Sequence, residues 1–179
     1  MAIDGHPADR QTIHQELERV RVDMHRLVAR ATAADLRRRT NGTRWTNGQM
    51  LWHMTFGFLV VLRLLPLVRL FGRPSDSFSR AFAAVLNAAT RPFHAVNYLG
   101  SVGGALVFHG PRLTRQLDHT IDLLHRRLDV ESEAALGRPM HFPVGWDPFF
   151  RDTMTLEQVY AYGAQHYDFH RTQLTLGRP

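Results

Sequence analysis

The apolar positions of the chain fall into helical stripes, with no alternating, strand-like run of any length. Between residues 9 and 31, Ile13, Leu17, Val20, Met24, Leu27, Val28 and Ala31 recur at three- and four-residue spacing with charge on the other face. That predicts a first amphipathic helix, with Asp9 as its cap. The segment TNGTR (40–44) breaks the pattern. A second helix starts at Thr46, whose spacing to Gln49 is that of a capping box, and runs to about Phe71. Its sequence, MLWHMTFGFLVVLRLLPLVRLF, is apolar nearly all round, the mark of a buried helix. Pro66 is expected to kink it or to end its regular part. A turn is expected over 72–77 and a short helix in FSRAFAAVLNAA. TRPFHAVNYLGSVGGALVFHG reads as mixed, because Gly100, Gly103 and Gly104 weaken any one element.

Leu113, Leu117, Ile121, Leu124 and Leu128 form the stripe of a third helix, from Pro111 at its first turn to about Val130. A proline- and aromatic-rich connection follows over 131–154; loops of that length inside a compact domain often carry function. A second capping box, Thr155 to Gln158, opens a last helix that reaches about Leu176. Four main helices with one long connection (72–110) between the second and third predict an all-α four-helix bundle, in one domain spanning 1–179.

The second helix is near the length needed to span a bilayer, but it carries His53, Arg63, Arg69 and Pro66. A buried bundle helix is the better reading, and no membrane partner is expected. Its apolar far end suits packing on a partner subunit or on the next segment, and the first of these readings gives a homodimer. The first residues, MAIDGHPADRQTIHQEL, contain no apolar core of signal-peptide length, which predicts a cytoplasmic protein.

Composition narrows the chemistry. The chain has no cysteine, so disulfides, thiolate ligands and a cysteine nucleophile are excluded together. Any metal must be held by His, Asp or Glu, and any thiol chemistry needs an external thiol. All 22 basic residues are Arg, and the formal net charge is +6. Arg37, Arg38, Arg39 and Arg44 cluster, with Arg26 and Arg30 upstream. A nucleic-acid site is one reading, but Trp45 is the only aromatic beside the cluster. A solvated helix end, favoured by the helix dipole, accounts for it, and no nucleic-acid partner is expected.

Eleven histidines stand out. His6, His14, His25, His119 and His125 fall in helical or terminal segments read as exposed, and His94, His109 and His141 in connections. His166 and His170, in GAQHYDFHRTQ, lie one helical turn apart and leave the same face. Val159, Tyr162, Phe169 and Gln173 share that side. Asp168, two residues from each, points away and is not expected to be a ligand. A pair at this spacing is by itself more often two ordinary helix histidines than two metal ligands. His53 changes the weighing, because a neutral polar group beside Leu51, Trp52 and Met54 needs a partner. It lies about 10 Å into the second helix, and His170 about 9 Å from the end of the last. If those helices run antiparallel, the three imidazoles meet at a similar height. Three histidines with an open fourth or fifth position form a catalytic rather than a structural metal arrangement.

RWTNGQMLWHM resembles the start of the second helix in the DinB/YfiT-like metal-dependent bundles. FFRDTMTLEQVYAYGAQHYDFHRTQL resembles their last helix, with H-x-x-x-H followed by Gln. The resemblance implies a four-helix bundle in up-down-down-up order, with 72–110 as the crossover. It implies His53, His166 and His170 as ligands of a divalent metal, zinc or nickel. It also implies a reaction of the type several members run: transfer or isomerisation of a small-molecule substrate, dependent on mycothiol, bacillithiol or glutathione. The aromatic connection, with Trp146, Phe149 and Phe150, would either lid the site or plug one end of the bundle; Tyr162 would either reach the pocket or pack in the core. The alternative from another class is a bundle that binds a small ligand or a partner protein around a structural or vestigial metal.

Overall fold

The structure, a computed structural model, describes residues 9–71 and 76–177. Among them are eight helices and two short strands: α1 Arg10–Arg30, α2 Ala33–Arg37, α3 Asn47–Phe71, α4 Asp76–Ala88, α5 Thr90–Val107, α6 Pro111–Asp129, α7 Glu133–Leu136, β1 Pro139–His141, β2 Thr153–Thr155 and α8 Leu156–Gln173. The chain is mostly helical, as the stripes predict. Asp9 caps α1 by accepting from Thr12 N–H, and both capping boxes form, at Thr46–Gln49 and at Thr155–Gln158. His6 and positions 72–75 of the expected turn lie outside the described residues; Asp76 and Ser77 already belong to α4.

α3 is the central element and packs against α8, α5 and α6, while α1 packs on α6 and α8. Ties at the ends give the directions. Asn47, opening α3, exchanges hydrogen bonds with Thr175, just past α8. At the far end of α3, Arg69 pairs with buried Glu131, which also accepts from Tyr160 near the start of α8. α3 and α8 are therefore antiparallel. α1 and α8 run the same way, since Arg19 pairs with Asp168 and Asp23 with Arg171. Helix Asn47–Leu70 is long and apolar enough to cross a membrane by length and composition; 61% of that window is buried against the rest of the chain, as in a core helix.

Three expectations are refined or corrected. α3 runs to Phe71 as predicted, with Pro66 inside the helix rather than ending its regular part. The proline has no N–H for the carbonyl of Leu62, and Arg127 on α6 donates to that carbonyl instead (2.8 Å). Residues 90–107 are not mixed but form the helix α5. Helix propensity loses here to packing. Gly104 lies so close to Trp52 that a Cβ would sit 2.1 Å from the indole nitrogen, and the indole N–H donates to the carbonyl of Gly100 (3.0 Å). The glycines are where α5 closes on α3, so the crossover is two packed helices. Gly104→Val is expected to destabilise by about 1–3 kcal/mol through overpacking, read as a lower urea midpoint. Third, the 131–154 connection holds α7 and an antiparallel hairpin pairing Met140 with Met154, where no strand was predicted.

Several histidines read as exposed or uncommitted are engaged. On the α1–α6 seam, the rings of His14 and His125 meet at Nδ1···Nδ1 2.5 Å, with His14 on Asp129 and His125 on Glu18. His141 is buried and clamps the hairpin between Asp76 and Asp152. In the arginine cluster, Arg38 donates to the carbonyl of Thr175 and Arg39 to that of Arg44, so both tie up local chain ends.

Candidate metal centre

The Asn47–Thr175 tie sets the register of α3 on α8. His53 comes six residues after the tie on one helix, and His170 five before it on the other. The three predicted histidines meet: one ring nitrogen from each of His53, His166 and His170 lies within 4.8 Å of the others. His53 and His166 are buried and His170 is half-buried. Gly57, one turn after His53, makes room; a Cβ there would lie 2.8 Å from His166 Nδ1. Aromatic rings wall the cluster, with Trp45 4.3 Å from His53, Tyr162 5.6 Å from His166 and Phe169 5.1 Å from His170.

The hydrogen bonds fix the tautomers. Ser101 Oγ donates to the carbonyl of Asn97 (2.7 Å), so it accepts from His53 Nδ1–H (3.0 Å). Gln173 Oε1 accepts from His170 Nδ1–H (2.8 Å). Both ring protons are thus on Nδ1, and the two Nε2 lone pairs face each other at 3.2 Å with no proton between them. Such a pair repels unless a cation lies between. Among the described residues, His166 Nδ1 is buried with no hydrogen-bond partner. Burial holds His53 down to about 3, reinforced by His170. Burial likewise depresses His166, with His53 and His170 adding to it, and burial depresses His170. All three rings are neutral near pH 7 and offer lone pairs. A set of imidazoles with oriented outer partners could hold a divalent metal ion.

A family model described as DinB superfamily matches residues 16–174. The chain belongs to the DinB superfamily. No curated protein and no solved structure matches it. Within this DinB chain, Asp168 points away from the cluster and pairs with Arg19 (2.8 Å), as its helical position predicts. Tyr162 is buried beside His166 and donates to Asp147 (2.8 Å), so it both packs and borders the cluster. In the aromatic connection, Trp146 stacks on Phe93, Phe149 packs on Phe169 and Phe150 on Tyr162. Sequence reasoning missed Ser101 and Asp147. Ser101 sits on the helix read as mixed, and Asp147 on a loop with no periodicity.

Ser101 is the outer partner that aims His53. Ser101→Ala is expected to weaken zinc binding about 10-fold or more without unfolding the chain, measured by competition with a chromophoric chelator.

Proposed function

We propose that this protein is a divalent-metal-dependent enzyme whose metal is held by His53, His166 and His170. The carrying observation is the convergence of three neutral imidazoles, two of them presenting Nε2 lone pairs to one point. When bound, the cation supplies Lewis acidity, lowering the pKa of a water or thiol beside it. The chain's own residues do the rest. Ser101 and Gln173 hold two rings in the ligating tautomer, and Trp45, Tyr162 and Phe169 border the site with apolar surface. Without cysteine, the chain fits an external low-molecular-weight thiol of the mycothiol type, used in transfer to or isomerisation of a small electrophilic substrate.

The pairings of α1 with α8 and of α3 with α8 support a four-helix bundle of α1, α3, α6 and α8 in up-down-down-up order, in one domain, with α4 and α5 as crossover. We read the protein as cytoplasmic and as a homodimer. Leu70 on α3 and Val96, Leu99 and Leu106 on α5 are exposed, and a light-scattering mass of twice the chain tests the dimer.

Elemental analysis of the native protein tests the metal. Turnover of electrophiles with added thiols, lost in His166→Ala with the fold intact, tests the enzyme. No turnover with any thiol or hydrolysable substrate favours the binding-module reading instead.

A further inference from the structure

Three neutral imidazoles bring no negative charge to a dication, and a buried charge without a counter-charge is costly. The hydrogen-bond partners of His53 and His170 are the neutral Ser101 and Gln173. Among the described residues no carboxylate hydrogen-bonds to any of the three rings. One carboxylate is nevertheless built in beside them. Asp147 Oδ2 accepts from the Tyr162 hydroxyl (2.8 Å), and the Tyr162 ring lies 5.6 Å from His166. Asp147 Oδ1 accepts from the backbone N–H of Phe149 (2.9 Å). The Phe149 ring packs edge-on against Phe169 (5.5 Å), which packs against His170 (5.1 Å). The two hydrogen bonds thus tie the carboxylate to Tyr162, the ring neighbour of His166, and to Phe149, whose ring reaches His170 only through Phe169.

One further observation agrees. Tyr162 is buried, and its hydroxyl donates to Asp147 and so holds the carboxylate in place. Asp152, on the same loop, is committed elsewhere, to His141.

We propose that Asp147 is the anionic member of the three-histidine centre: a carboxylate, carried by the loop between β1 and β2, that compensates the charge of a bound divalent cation. Tyr162 is its positioning residue. The proposal rests on the metal reading above and deepens it, because it makes cation binding and the seating of the aromatic loop one event.

The test is calorimetric titration of the metal-stripped full chain with zinc(II). Asp147→Asn keeps the shape and removes the charge; it is expected to bind about 10–100-fold more weakly. Tyr162→Phe, which frees the carboxylate, should lose several-fold. Asp147→Glu, which keeps the charge, should stay within a few-fold of the wild type, and Asp152→Asn should match it. Melting of each metal-free variant reports its fold. Wild-type affinity in Asp147→Asn overturns the role of Asp147 and leaves the metal reading standing. Equal losses in Asp147→Glu and Asp147→Asn mark shape rather than charge and overturn it too. A wild type that takes up no zinc overturns both.

Discussion

His53→Ala is expected to weaken zinc binding by hundreds- to thousands-fold while the chain still folds. Complete structural zinc sites are worth roughly 10–16 kcal/mol, so one ligand of three carries about 3–5 kcal/mol. The loss should be as large for His166→Ala, although that ring comes from another helix, because each contributes one nitrogen to the same point. Stability gives an independent readout. A cation that binds only the folded chain stabilises it by about 2.7 kcal/mol at a hundred times its Kd. For a chain of this size that raises the melting temperature by about 5–10 °C. The wild type should show this rise on adding zinc, and His53→Ala should not. Without metal the two should melt closer together, because truncation leaves a cavity but also removes one of the two opposed Nε2 lone pairs. A wild type whose melting temperature ignores zinc and nickel would contradict the metal centre outright.

What the sequence made legible was local or periodic. Stripes at helical spacing located α1, α3, α6 and α8, and capping boxes fixed the starts of α3 and α8 because that signal lies within four residues. The His166–His170 pair was legible for the same reason, and His53 because a polar group in an all-apolar helix demands a partner. What escaped depended on contacts distant in sequence. Nothing near Pro66 announces that Arg127, far along the chain, will take up the carbonyl of Leu62. Nothing in the sequence around Gly104 reveals that Trp52 will press on it. Strands of three residues are shorter than any pattern that could identify them, and β1 is tied to Asp76 by His141 as well as to β2 by its ladder. Ser101 and Asp147 have the same origin: each matters only through a histidine or tyrosine on another element. The three histidines themselves were readable, whereas Ser101 and Asp147 beside them became visible only with the fold.

The metal-free protein is expected to lose stability as pH falls from about 6.5 towards 3. In the unfolded chain an imidazole titrates near 6.5 (approximately). In the folded chain burial holds His53 down to about 3, and depresses His166 and His170 as well. Above about pH 6.5 both states keep these rings neutral, and their stability contribution is fully present. Below it, the unfolded chain takes up protons that the folded chain refuses, so the balance shifts towards unfolding. Each ring so displaced costs about 1.4 kcal/mol per pH unit until the folded value is reached. For His53 alone the whole window amounts to roughly 4–5 kcal/mol. The depressed carboxylates Asp23, Asp76 and Asp122 act in the same direction, but only below about pH 4, where unfolded aspartates begin to protonate. The decline between pH 6 and 4.5 therefore reports the histidines, opposed in part by Glu157, whose carboxyl is pushed up by burial. Urea midpoints at pH 7, 6, 5 and 4.5 measure it; His53→Gln, which cannot take the proton, should flatten the slope, and zinc should defer the onset, since cation and proton compete for the same lone pairs. A midpoint constant from pH 7 to 4.5 would show that the rings are not the buried, neutral set this site requires.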